Sequence, residues 1–129
     1  IAKRGFGPWG TALPIGERET AGFTRATGIV ASDGNIPGCL LLSAMPRLMP
    51  SNDWAICGYS GAVNLGCPAL RFPAPAPIGA SVQGRSRLAS ARPHPKGTII
   101  AIDFEARIEH VATPCLTATV EVLYIGGGA

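Results

Sequence analysis

From Thr98 to Val111 apolar and polar residues alternate. Ile100, Ile102, Phe104, Ala106 and Ile108 take one side, and Asp103, Glu105, Arg107 and Glu109 the other. A period of two over that length predicts a long strand with one buried and one solvated face. A different pattern fills Pro37 to Met49, PGCLLLSAMPRLM. There Cys39, Leu40, Leu42, Ala44, Met45, Leu48 and Met49 cover most of a helical circumference. A helix so apolar is expected inside the molecule. Pro37 suits its first turn, where a missing N–H costs little. Pro46 is expected either to kink the last turn or to stop the regular helix near Ala44.

The remaining stretches are shorter. Ile1 to Gly10 is Gly-rich and reads as an arm, with Trp9 set to cover a core edge. Thr11 to Ile15 reads as a first strand and Glu17 to Thr27 as a short helix, with Phe23 and Ala26 facing inward. Gly28 to Asn35 is a linker, and Asp33-Gly34 in it is a turn signal. Strand is expected within Asp53 to Gly61, in uncertain register, and again, after a bend, toward Phe72. The alternate prolines of Pro73 to Gly79 favour an extended crossing over a ladder strand. Ala80 to Ala91 reads as a half-exposed strand, Arg92 to Gly97 as a hairpin loop, and Cys115 to Ile125 as the last strand. Gly126 to Ala129 is a loose tail. The expected architecture is α+β: one domain over 1–129, an antiparallel sheet wrapped around a central apolar helix, with the last three strands in a meander.

Composition narrows the function classes. Apolar residues make up 47% and charged residues 15% of the 129, which argues against disorder and suggests surface hidden in an oligomer. The net charge of +3 is spread along the chain, densest at Arg85, Arg87, Arg92 and Lys96. With no long basic run and no aromatic stacking pattern, nucleic acid is not an expected partner, whereas a phosphate-bearing ligand fits that cluster. Cys39, Cys57, Cys67 and Cys115 form no CxxC pair and only His94 and His110 accompany them, so no metal site is expected. No apolar run has membrane length and no signal peptide is recognised, so a cytoplasmic location and no membrane partner are the default expectations.

The most specific string is NLGCPALRFPAPAPIG, Asn64 to Gly79. Asn64, Gly66, Arg71, Phe72, Pro73, Ala74, Pro75 and Gly79 in it resemble a motif of the MaoC-like acyl dehydratases, or R-specific enoyl-CoA hydratases. Leu42, Ser43, Pro46, Arg47 and Leu48 resemble that family's helix, and Phe23 to Gly28 the segment that leads to its catalytic motif. The likeness runs from about Phe23 to Tyr124. It implies a hot-dog fold, a homodimer, and an acyl thioester bound beside the start of the central helix at the dimer interface. It also implies an Asp and, some five residues on, a His just after Gly28. Neither is present as that motif. Ile29 follows Gly28, only seven residues precede Ile36, and Ile36-Pro37-Gly38 stands where the family has a His before its Gly.

The expected function is therefore binding of an acyl-coenzyme A-like thioester, or another small apolar ligand, without the family dyad and with no cofactor beyond coenzyme A as part of a substrate. Hydration needs a base and a route for the α proton. Asp33 is the candidate replacement for a divergent hydratase, dehydratase or thioesterase, set against its plain role as a turn former. Gly38 admits a close approach and, with Cys39, begins the helix beside the thioester. Tyr59, Asn64 and Arg71 are expected to shape the substrate channel, and Arg85 and Arg87, on one strand face, to meet carrier phosphates or simply solvent. His94, His110, Asp53 and Ser43 are weaker candidates.

Overall fold

The computed structural model describes residues 5–50 and 54–126. The alternating C-terminal half becomes a meander of three long strands. These are β3 (Ser81–His94), β4 (Gly97–Ile108) and β5 (Leu116–Gly126). Before them come β1 (Leu13–Pro14), α1 (Glu17–Thr27), α2 (Gly38–Ser43), α3 (Met45–Leu48) and β2 (Tyr59–Arg71). The strands form one antiparallel sheet in the order β1-β3-β4-β5-β2. The chain thus crosses from β2 at one edge to β3 near the other, and Pro73 to Ala80 carry that crossing.

Alternation decides which side each residue takes. Val82, Gly84, Ser86 and Leu88 of β3 are buried, as are Ile102, Phe104 and Ala106 opposite them on β4. This face receives the helices. Leu41 and Leu48 plug into it, joined by Ile15, Ile36, Cys115 and Leu116. Full burial of such a side chain contributes about 1.5–3 kcal/mol. Two glycines set how closely α3 sits. A Cβ on Gly84 would lie 2.8 Å from Leu48 Cβ, and one on Gly10 2.7 Å from the Leu48 carbonyl oxygen. A second, smaller cluster of Leu88, Ile100 and Ile102 is packed by Trp54 and Ile56 toward the β3–β4 hairpin.

The predicted central helix is present but divided. Ala44 is a turn between α2 and α3, because Pro46 has no N–H to donate back into α2. It is also less enclosed than its composition predicts. Leu41 and Leu48 are buried, Leu40, Leu42, Met45 and Met49 are half-buried, and Cys39 is exposed. The α1 helix occupies its expected span. Gly16 N–H donates to Glu19 Oε1 at its start, and Gly28, at φ 80°, ends it with an N–H donated to Thr24 O.

Three boundaries differ from the sequence reading. β2 is one strand through Gly61, Gly66 and Pro68, because register shifts at Asn64/Gly66 and Gly66/Ala69 absorb those residues as bulges. β3 continues through Pro93 to His94, leaving only Pro95 and Lys96 as the turn. Trp54 to Cys57 have no regular structure. Asp53, the start of the arm and the end of the C-terminal tail lie outside the described residues.

The described part of the arm runs along β3, with Gly7 N–H donating to Ser86 O and Gly10 N–H to Gly84 O. Phe6 and Trp9 lie on the outer face of the sheet. The Arg85 guanidinium sits 4.3 Å from the Trp9 ring centre and that of Arg107 4.2 Å, so Trp9 covers arginines rather than a core edge.

Candidate functional site

The start of α2 forms one wall of an open recess. The first bonds of that helix run from Leu40 and Leu41 N–H to Pro37 O, so the Gly38 and Cys39 N–H groups precede its hydrogen-bond ladder. The Phe72 ring lies against Gly38. A Cβ there would come within 2.6 Å of two ring carbons. The contact is possible because β2 ends at Arg71 and delivers Phe72, still 46% exposed, beside the helix.

Two lobes open from this point. One, of about 440 Å³, is bounded by Ile36, Gly38, Leu41, Phe72, Ala76 and Cys115 among others. The second, of about 290 Å³, is bounded by Ile29 to Asp33 and by Asn35 to Cys39. Asp33, Asn35, Ile36, Gly38 and Cys39 line both. Among the described residues that line either lobe, Asp33 is the only charged one and none is a histidine.

Asp33 is both turn former and wall. Its Oδ1 accepts the Asn35 N–H at 3.0 Å. Hydrogen bonds from Asn35 backbone and side chain hold its carboxyl below the ordinary range, so it is ionised at neutral pH. Such a group is a weak base and a poor proton donor. Burial pushes the Cys115 thiol up, which suits a packing role, and its Sγ approaches Ala106 O. The Ser43 hydroxyl donates to Cys39 O at 2.8 Å and so is spent within its own helix.

The structure therefore gathers Asp33, Gly38 and Cys39 around one recess and adds Phe72, which sequence reasoning missed as a wall residue. The signal was there in the run that places Phe72 after Arg71, but only the fold shows that it meets Gly38. Arg71 is exposed at the end of β2, and Asn64 is exposed in mid-strand opposite Val122. Tyr59 is not at this recess. It lies at the other end of β2, with its ring 4.8 Å from that of Tyr124 in an edge-on contact.

The expectation that Arg85 and Arg87 meet carrier phosphates gives way to a different arrangement. Cross-strand register sets Arg85 opposite Glu105 and Arg87 opposite Asp103 on the outer face. Arg85 Nε donates to Glu105 Oε1 at 2.8 Å, and Arg87 Nε to Asp103 Oδ2 at 2.7 Å. Phe6 covers both guanidinium groups. These arginines are engaged in a ladder on the side of the sheet away from Gly38. His110 is exposed in the β4–β5 turn.

A second cavity of about 730 Å³ lies at the far end of the sheet. Cys57, Tyr59, His94, Lys96, Thr98 and Tyr124 supply its polar groups, over Ile56 and Ile100. No described residue lining it is acidic. Among the described residues no group of three or more His, Cys, Asp and Glu is placed so that it could hold a metal ion, and no helix is long and apolar enough to cross a membrane.

No family model matches the chain. It is 32% identical over 89 residues to the 3-hydroxyacyl-thioester dehydratase Z of Mycobacterium tuberculosis, covering 68% of this chain and 58% of that protein. The chain thus spans somewhat over half the length of the curated relative it matches. Among solved structures, a monoamine oxidase regulatory protein from Archaeoglobus superposes with a TM-score of 0.76 at 16% identity, over 98% of this chain and 92% of that one. A MaoC-like dehydratase superposes with a TM-score of 0.70 at 12% identity, over 94% of this chain and 41% of that one. At such identities these two likenesses speak for the fold.

Proposed function

Because the chain belongs to the MaoC-like hot-dog family, we propose that it binds an acyl thioester of the acyl-coenzyme A kind in the recess beside Gly38, as a homodimer and without the family dyad. The observation that carries this reading is the open recess where Phe72 meets Gly38. Its volume falls in the range of small-molecule sites, about 300–1,000 Å³. Ile36, Leu41, Ala76 and Cys115 offer an apolar wall for an acyl chain. The missing Gly38 Cβ is what lets the Phe72 ring wall the recess there, and the Gly38 and Cys39 N–H groups precede the helix ladder, where a thioester carbonyl oxygen can accept them.

The same recess argues against ordinary hydration. Adding water across an enoyl thioester takes a base for the water and a group that exchanges the α proton. The ionisable groups on these walls are an ionised carboxylate with a lowered pKa and the thiols of Cys39 and Cys115. Binding without the family's acid–base pair is the simpler account. One observation favours a second reading: Asp33 lines both lobes. An ionised carboxylate there can hold a water for thioester hydrolysis, or serve a divergent hydratase or dehydratase as base.

Incubation with a short panel of enoyl- and acyl-coenzyme A thioesters separates the readings. Saturable binding with no chemical change is the expected result. Loss of enoyl absorbance marks hydration, and release of free thiol marks hydrolysis. If either occurs, Asp33→Asn should lower the rate at least tenfold, and an unchanged rate removes Asp33 from the mechanism. Absence of saturable binding to every thioester in the panel overturns the proposal.

A further inference from the structure

Cations and aromatic rings alternate on the outer face of the sheet. The Trp9 ring centre lies 4.2 Å from the Arg107 guanidinium and 4.3 Å from that of Arg85. The Phe6 ring centre lies 4.5 Å from Arg85 and 4.3 Å from Arg87. The stack therefore runs Arg107, Trp9, Arg85, Phe6, Arg87. Glu105 and Asp103 accept from Arg85 and Arg87 Nε, and Gln83 Oε1 accepts from Arg107 Nε. Guanidinium donors lie in the plane of the group, so these bonds leave its faces to the rings. Each ring face attracts the cation above it.

Backbone spacing puts both rings on that side. Gly7 N–H donates to Ser86 O at 3.1 Å and Gly10 N–H to Gly84 O at 2.8 Å. The donors are three residues apart and the acceptors two, so the arm carries one residue more than β3 along this stretch. In a regular strand Phe6 and Trp9 would point to opposite sides. Pro8 lies between the two donors and has no N–H that needs a partner.

Beyond Trp9 the arm closes over the end of α3. Gly10 is buried, and a Cβ there would lie 2.7 Å from Leu48 O and 3.3 Å from Pro50 Cδ. Gln83 Nε2 donates to Gly10 O at 3.0 Å, so the side chain that holds Arg107 also holds the arm. A single turn such as α3 has little stability of its own. It keeps its place by the Leu48 side chain on Gly84 and by Gly10 against the Leu48 carbonyl. It continues from α2 through Ala44, whose N–H donates to Leu40 O, so the arm bears on the helix pair that begins at Gly38. Backbone bonds at Gly7 and Gly10 and ring contacts on half-buried side chains are a small hold against the ordering of Gly5 to Gly10.

We propose that Gly5 to Gly10 form a strap: the arginine–aromatic stack closes it over β3, it opens without unfolding the sheet, and its opening unseats α3. The strap is independent of the thioester reading above.

Amide hydrogen exchange of the full chain, followed residue by residue by NMR in low concentrations of urea, tests it. Exchange reports the opening that frees each N–H, and the urea dependence separates a local opening from a global one. Gly7, Gly10 and Leu48 are expected to share one protection factor, at least about tenfold below that of the N–H groups paired between β4 and β5, and to respond less steeply to urea. Trp9→Leu keeps an apolar side chain and removes the ring face. It should lower protection at all three by about tenfold, whereas Trp9→Phe, which keeps a face, should stay within about threefold of wild type.

Four results overturn the proposal. Gly7 and Gly10 as protected and as urea-sensitive as the β4–β5 amides would make the opening a global unfolding. Leu48 following the β4–β5 amides while Gly7 and Gly10 do not would separate the arm from α3. Unchanged protection of Gly7 and Gly10 in Trp9→Leu would remove the stack as the closure. Equal losses in Trp9→Leu and Trp9→Phe would assign the hold to the bulk of the indole.

Discussion

Adding a single methyl group at Gly84 or at Gly38 tests how the helices sit on the sheet. At Gly84 the new Cβ lies 2.8 Å from Leu48 Cβ, 2.9 Å from Leu48 O and 2.9 Å from Phe104 Cε1. Carbon atoms in contact prefer about 3.5–4.0 Å. Leu48 and Phe104 are 2% and 0% exposed, so neither has room to retreat. Relief requires moving α3 off the sheet, at a cost of about 1–3 kcal/mol. At Gly38 the nearest neighbour is the Phe72 ring, at 2.6 Å, and that ring is half in solvent. It swings away, and stability changes by no more than about 0.5 kcal/mol. The displaced ring reshapes the recess, and affinity for butyryl-coenzyme A falls by about tenfold, or 1.4 kcal/mol. Urea unfolding measures the first effect through its midpoint and titration calorimetry the second. A Gly84→Ala protein with the wild-type midpoint refutes the seating of α3. A Gly38→Ala protein with wild-type affinity separates that contact from the ligand site.

The outer ladder should respond unevenly. Asp103 accepts from both Arg87 and Thr119 and is 16% exposed, so Asp103→Ala costs about 1–2 kcal/mol by urea unfolding. The Arg92–Glu121 pair is more exposed, and Arg92→Ala stays within about 0.5 kcal/mol. Thiol labelling at neutral pH should modify Cys39 and Cys57 readily and Cys115 only on unfolding. Burial raises the Cys115 thiol, so the folded chain keeps that proton to higher pH than the unfolded chain does. The packing it contributes is therefore intact below the ordinary thiol range and weakens as pH rises through it. For Asp33 the sign is opposite. Its lowered carboxyl favours the 33–35 turn above the ordinary carboxylate range, and that support is lost as pH falls through the folded value. Urea midpoints for Asp33→Asn that follow the wild-type pH profile at acid pH contradict this.

Much of the fold was legible because period-two patterning survives in the strands. The sides taken by Ile100, Ile102, Phe104 and Ala106 follow from alternation alone. The α1 helix was legible in its span but not in its inner face, since Phe23 is half-buried, Ala26 is exposed and Thr20 is the residue it buries, and the Asp33-Gly34 turn was legible from its residue types. β2 was not, because its glycines and Pro68 look like breaks when read locally, and only pairing with β5 shows that bulges accommodate them. The enclosure of the central helix was overestimated. Its composition promised burial on every side, yet the one five-stranded sheet covers it from one direction and leaves Cys39 in solvent.

At the site, sequence placed Asp33, Gly38 and Cys39 together because all three lie within seven residues. Contacts between distant stretches were hidden. Phe72 on Gly38 depends on where β2 stops, and the engagement of Arg85 and Arg87 depends on a register that puts Glu105 and Asp103 opposite them. That Tyr59 lies at the far end of β2 from Gly38 was hidden for the same reason, since the strand's full length shows only through its pairing with β5.

The most direct test of the central claim is titration calorimetry of butyryl-coenzyme A into wild type and into Cys39→Trp, whose indole fills the space beside Gly38. Saturable binding to wild type, with at least tenfold weaker binding to the variant, is the result this account predicts. Equal affinity for the two proteins would put the thioester elsewhere on the molecule and contradict it.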